Sequence, residues 1–369
     1  MPKKEILLFV LVYIFVSTYF VTHLRGEKIE PIVAKEKVLT LHNEVTNLNT
    51  GVLVNDNDPD SIEIARYYQA KRSIPEENIV HLKLPLKNQL TPEEFGLMHE
   101  EVNKALPASV QVIAVAWTNP SRVNCNGITS AISLGYNEQA CADIHDVSQP
   151  LPYYDSASRA PHTDYGIRPS MMLAGKSVLS VKKLIDRGVA SDRTRPTGSA
   201  YVMKTTDSHR SVRASYYPDT LLGHTIHKSV DVKILSAVPR SATSSYIKSK
   251  NYISNTTDAL FYFQGLATVP DITSNKFPPG AIADHLTSFG GMLTDSKQMS
   301  ILEFIEAGVT GSYGTVSEPL AFKEKFPSPQ IAIKNYTSGQ TLIESYWKSV
   351  AVPAQGVFVG EPLASPWAE

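Results

Sequence analysis

The sequence is short of ready-made catalytic signatures. It has no C-x-x-C pair, no H-E-x-x-H, no phosphate-cradling P-loop and no G-x-G-x-x-G fingerprint, so the motif-borne zinc and nucleotide chemistries have no anchor in it. It also lacks a charge excess. With 35 Lys+Arg against 36 Asp+Glu, the formal net charge is -1, which provides neither the basic footprint of a nucleic-acid binder nor an acidic trap. No metal or cofactor is indicated, and no nucleic acid partner. Cysteine is scarce: Cys125 and Cys141 are the only two. In an oxidising compartment they can form one disulfide stapling the loop between them, or stay two separate thiols. The sequence leaves both open. His145 follows Cys141 closely, but one such pairing is weak ground for a catalytic thiol.

What the sequence does have begins at its N-terminus. "MPKKE" is a basic n-region, and residues 6–21, "ILLFVLVYIFVSTYFV", are apolar apart from Ser17 and Thr18. The run is long for a signal-peptide core and slightly short for a full span, and no good small-x-small cleavage site follows it. Residues 1–27 therefore read as an uncleaved signal anchor in preference to a signal peptide, with the membrane as a partner through residues 6–21. Everything beyond about residue 27 is expected to face the periplasm or cell exterior. Residues 28–50 are a polar linker.

From residue 51 the pattern is strand, helix, strand. "GVLVN" (51–55) is a buried strand, followed by a helix to be capped by Asp60 or Ser61. "NIVHLKL" (78–84) is a second strand, and Thr91 with Glu94 makes a capping box. "VQVIAVAW" (110–117) is apolar enough to be covered on both faces. The expectation is a single α/β domain over 51–369, mostly parallel and doubly wound. A long Pro-, Ser- and Tyr-rich loop over about 118–170 interrupts it. Beyond the loop come a helix ending near Ser191, strands at "SAYVMKT" and "DVKILSAV", and a helix from about Ser211 to Leu222. Three more apolar runs follow, "ALFYFQGL", "FGGML" and "GVTGSYGT", separated by short helices of which one carries Asp284 and His285. A last helix and a terminal strand, "GVFVG", close the chain.

In such folds chemistry gathers at the carboxyl ends of strands. After the first strand lie Asn55 and Asp58; the Asp56, Asp58, Asp60 alternation suits a helix start better than a Ca²⁺ loop, which would need a glycine and a distal glutamate. Trp117, Asn119 and Arg122 are placed to form an aromatic and cationic wall suited to an anionic or peptide ligand. Gln264, then Thr294, Asp295 and Ser296, sit at the later strand ends. Ser312 lies between Gly311 and Gly314, which permit close backbone approach or positive φ, and Glu318 precedes a proline.

The ordered stretches "NDNDPDSIEIARYYQAKRSIPEENI", "GAIADHLTSFGGMLTD", "AGVTGSYGTVSEP", "KFPSPQ" and "TLIESYWKSVAVPAQGVFVGEPLASP" resemble an uncharacterised bacterial family found in genomes that carry exosortase, the membrane enzyme that sorts secreted proteins for surface export. The resemblance runs from about residue 50 to the end and implies an extracytoplasmic setting, not a reaction. The order of strand, X-Gly, helix and strand is similar to the gingipain and caspase-like cysteine peptidases, whose first strand delivers a His-Gly and whose second delivers the nucleophilic Cys. Here Gln264 stands at the histidine position and Thr294 at the cysteine position. Glutamine cannot exchange a proton near neutral pH, and threonine needs a strong neighbouring base to attack. The resemblance thus implies a pseudoenzyme, a binding or accessory protein whose partner is an envelope polysaccharide or an exported protein. A hydrolase built on Asp284, His285, Asp295 or Ser296 is the alternative, and a structural interaction protein docking through the 147–170 loop is a third.

Overall fold

A computed structural model describes residues 44–216, 230–237 and 247–369. The apolar run at 6–21 and the second half, 217–222, of the helix expected over 211–222 lie outside the described residues; of the first half, Val212–Tyr216 form a 3-10 helix. Among those described, no helix is long and apolar enough to cross a membrane. Residues 45–369 form one compact unit.

The chain opens with β1 (Thr50–Asn55), α1 (Pro59–Arg72), β2 (Ile79–Leu82), a short β3 (Gln89–Leu90), α2 (Pro92–Ala105) and β4 (Val112–Val115). The 118–170 stretch carries β5 (Arg122–Val123), β6 (Asn126–Gly127), α3 (Ile128–Leu134), α4 (Gln139–Ala142) and α5 (Pro161–Tyr165). Then come β7 (Ser170–Met172), α6 (Val178–Ser191), β8 (Gly198–Lys204), β9 (Val230–Ser236), β10 (Ile247–Lys248) and β11 (Ala259–Gln264). The chain ends through β12 (Ile282–His285), α7 (Leu302–Glu306), β13 (Gly311–Thr315), α8 (Pro329–Thr337), α9 (Leu342–Trp347) and β14 (Gly356–Gly360).

Eleven of these strands make one sheet in the order β10-β9-β8-β11-β12-β13-β14-β7-β4-β1-β2. Every pairing is parallel except β13 with β14. Successive side chains on a strand point to opposite faces, and both faces are covered. Val52 and Val54 join one core cluster with Ile64 and Tyr68 of α1 and with α8 and α9. Leu53 between them joins a second with Phe95 and Met98 of α2, Ile128 of α3 and Leu302 of α7. The order reverses direction twice. After β1 the chain goes outward to β2 and returns to β4 on the other side; after β8 it goes out to β9 and β10 and returns to β11. Each reversal opens a crevice at the carboxyl ends of the strands.

Local chemistry sets the helix starts. Asp58, rather than Asp60 or Ser61, caps α1, accepting from the Asp60 amide at 3.0 Å, because Pro59 takes the first helical position. Ser61 turns inward instead and accepts from the Asn55 amide at 2.8 Å. Thr91 and Glu94 form the expected capping box on α2. Cys125 and Cys141 are bonded, with Cα atoms 5.5 Å apart.

The largest departure concerns "FGGML". It is not a strand; the strand is "IADH" just before it, and Asp284 and His285 lie on β12 rather than on a helix. Residues 289–293 instead turn back against β13, with the Gly291 amide donating to Thr315 O at 2.8 Å. Neither Gly311 nor Gly314 has positive φ; close approach is what they provide. A Cβ on Gly314 would stand 2.6 Å from the Gly291 nitrogen. Gly314→Ala should therefore destabilise by at least about 2 kcal/mol. Gly96→Ala, in open space on α2, should gain up to about 1 kcal/mol. Denaturant unfolding of the two variants checks the contrast.

Candidate functional site: a cleft at the tips of β1, β4 and β7

An open cleft of about 1100 Å³ lies at the first reversal. Its floor comes from segments just past four parallel strands: Asp58 after β1, Lys87 and Asn88 after β2, Thr118 and Asn119 after β4, and Gly175 to Val178 after β7. The opposite wall is Thr268, Val269 and Ile272 from the segment after β11, with Leu293, Thr294, residues 296–300 and the start of α7 (Leu302 and Glu303) from the segment after β12. Contacts across the cleft hold these walls in place. The Asn119 side-chain amide donates to Thr294 Oγ1 at 2.9 Å. Lys176 Nζ meets Glu303 at 2.6 Å. At the rim, Arg122 takes both oxygens of Asp295 at 2.9 and 2.7 Å. Those Arg122 hydrogen bonds hold the Asp295 carboxyl below its ordinary range.

The predicted residues divide. Asp58, Thr294 and Ser296 line the cleft, and Arg122 and Asp295 brace its rim. Asn55 is fully buried; its Oδ1 accepts from the Leu84 and Asn57 amides, tying the ends of β1 and β2 together. Trp117 is buried and donates from its indole to Pro120 O at 3.1 Å, so it finishes the core and forms no ligand wall. Ser312 is buried within β13. Glu318 is exposed and accepts from Ser288 Oγ at 2.7 Å. The ten candidates thus do not converge on one point. Asn88, Thr118, Lys176 and Ser177 were missed, although "AGKS" after "SMML" places Gly175 to Ser177 at a strand-to-helix junction that the strand-end rule could have flagged.

The second reversal, where Gln264 sits, is closed by the chain itself. A Cβ on Gly265 would stand 2.2 Å from Arg210 O, so the 205–213 segment lies directly on the tip of β11. Gln264 is 1% exposed and fully engaged: its side-chain amide donates to Asn251 O and Tyr262 OH, and its Oε1 accepts from the Gly265 amide. Beneath the tip, Arg213 donates to Asp284 Oδ1 at 2.5 Å and to Gln264 O at 2.7 Å. His285, next to Asp284 but on the opposite face, donates from Nδ1 to Leu266 O at 2.8 Å and packs against the Phe304 ring. Asp284, His285, Asp295 and Ser296 are therefore each held by different partners and form no triad.

No protein-family model matches the chain, and no curated protein does. One solved chain, described as "Structure of Protease", is similar in outline at 9% identity over 87% of this chain and 79% of that one, with a TM-score of 0.44.

Burial pushes the His285 imidazole down to about 4. The folded chain refuses a proton there that the unfolded chain accepts near 6.5. Stability is thus complete above that value and falls as pH drops toward 4, by roughly 3 kcal/mol from this group. His99 and His162, also lowered by burial, add slope of the same sign. Unfolding free energy measured from pH 7 to 4 should fall steeply in the wild type and less so in His285→Asn.

Proposed function

We propose that the chain is a membrane-anchored, extracytoplasmic binding or accessory protein of the cell envelope. On this reading it is a non-peptidase built on a caspase/gingipain-like arrangement and acts in exosortase-linked export. The observation that carries it is the covering of the β11 tip. At the place where a peptidase of that arrangement needs a proton-exchanging histidine facing substrate, a buried glutamine is spent on internal hydrogen bonds beneath Arg210. The accessible surface lies elsewhere, in the cleft past β1, β4 and β7. That cleft is lined by hydroxyls, amides, aliphatic side chains and the charged groups of Asp58, Asp60, Lys87, Lys176, Lys297 and Glu303, with no histidine or cysteine among its described residues. A Thr294 hydroxyl that meets only amides, from Asn119 and Asn88, has no base to activate it.

The alternative, a hydrolase using Asp295 or Ser296, asks a carboxylate clamped by Arg122 to act as base. Its proton affinity is lowered by that clamp, which weakens it for the task. Incubation of the full chain with generic peptide and ester libraries should give no turnover. Turnover that disappears in Ser296→Ala or Asp295→Asn would install the hydrolase in its place.

A further inference from the structure

We infer that the Cys125–Cys141 bond is a thiol-exchange site: a dithiol reductant opens it in the folded protein and so releases a strap over residues 137–150. This does not rest on the reading of the cleft. Both cysteines are half-buried rather than sealed in the core, and hydrogen-bond donors surround their sulfurs. The Asn126 side-chain amide donates to Cys125 Sγ at 3.3 Å and to Cys141 Sγ at 3.5 Å. Its orientation is fixed, because the same side chain exchanges two hydrogen bonds with the Asn137 backbone at 2.9 and 3.0 Å. Tyr136 OH stands 3.8 Å from Cys141 Sγ and accepts from the Asn124 side-chain amide at 3.1 Å. A bonded sulfur carries no proton, so the Tyr136 hydroxyl is the donor in that contact.

Such donors do little for a disulfide, whose sulfurs are weak acceptors, and much for a thiolate. Exchange is faster when the departing sulfur is stabilised as a thiolate. Two donors aim at Cys141 Sγ and one at Cys125 Sγ, which makes Cys141 the leaving group. A thiolate of the reductant attacks Cys125 Sγ; the S–S bond breaks, and Cys141 departs as a thiolate under Asn126 and Tyr136. The reductant's second thiolate then attacks the reductant's own sulfur in the mixed disulfide and expels Cys125. Two electrons pass to the protein, the reductant leaves as a disulfide, and the two protons its thiols give up end on the two cysteines.

What the bond pins is a thin cover. The 137–150 stretch has only the four-residue α4 and is exposed over most of its length. Besides the bond, it is held by the Asn126–Asn137 pair, by the His145 ring against Phe322, and by the Lys325 ammonium, which donates to Ile144 O. Beneath it lies a polar cavity of about 100 Å³, lined by Asn137, Asp143 and Asp146 from the strap and by Lys325 and Gln355 from the body. With the strap in place Lys325 is 3% exposed. The bond closes a loop of sequence separation 16, and β5 is paired with β3 and β6 independently of it. Opening it therefore frees the strap and leaves the large sheet and the cleft standing.

The test treats the full chain in detergent with dithiothreitol under native conditions, then with iodoacetamide and an amine-acetylating ester, and locates both labels by mass spectrometry. Cys125 and Cys141 should be reduced at least tenfold faster than the chain unfolds, and Lys325 should then acetylate at least tenfold faster than in the oxidised protein. Lys348, fully buried and held by Gln340 outside the cavity, should stay unlabelled, which separates a lifted strap from lost folding. Cys125→Ser combined with Cys141→Ser should label Lys325 without dithiothreitol. Tyr136→Phe should slow reduction severalfold at an unchanged melting temperature. Reduction no faster than unfolding, or unaltered in Tyr136→Phe, would overturn the exchange site. Reduction that leaves Lys325 protected, or that exposes Lys348 along with it, would overturn the strap.

Discussion

The fold turns on one buried ion pair, Arg213 with Asp284. Both side chains are withdrawn from water, at 3% and 0% exposure. An isolated charge in such a place is untenable, because the lost hydration exceeds anything packing returns. The pair survives because further partners share its charges, although the buried Arg213 Nε has none. Arg213 also donates to Gln264 O, and Tyr346 of α9 lies within reach of the second Asp284 oxygen. One guanidinium thereby joins the tip of β11, the middle of β12 and the 205–213 segment. Removing either charge strands the other, which typically costs 3–5 kcal/mol. Local variation is thus strongly opposed where the segment crosses the strand tips.

That constraint decides which of the two crevices is available. A doubly wound sheet with two reversals has two places where loops part and a ligand can enter. The crevice beside β8 and β11 is filled by Arg210 to Arg213, whose backbone leaves no room even for a Cβ on Gly265. The crevice beside β1 and β4 is left open, and the loops after β11 and β12 lean across to form its far wall. The same short segment that closes one site leaves those loops free to build the other.

Much of this architecture was legible in the sequence. The capping boxes, the apolar runs at 51–55 and 110–117 and the alternation of strand with helix depend on local chemistry, and local chemistry is what a sequence displays. The failures share a physical cause. "IADH" reads as part of a helix because adjacent Asp284 and His285 look too polar for a buried strand. Only the distant Arg213 makes that strand tolerable, and nothing local announces it. "FGGML" reads as a strand because its glycines serve an approach to Gly314, again a tertiary fact. At the site, Thr294 and Ser296 read as the end of a strand that is absent. They line the cleft from the loop well beyond β12, so Thr294 does not occupy the tip of the strand next to β11 where the cysteine position was expected. Trp117 and Asn55 had the right position but proved to be core and connecting groups, since a strand end does not reveal which way a side chain turns.

The central claim is that the β11 and β12 tips are sealed by the chain and the first crevice is the accessible one. Hydrogen exchange of the unliganded full chain tests it most directly. Amides across 262–266 and 284–287, including Leu286, which donates to Gln264 O at 2.9 Å, should exchange only through global unfolding. The cleft loops at 86–88 and 294–298 should exchange much faster. Rapid local exchange at 205–213 together with 264–266 would contradict the account. It would mean that the covering segment lifts and that the second crevice is a working site.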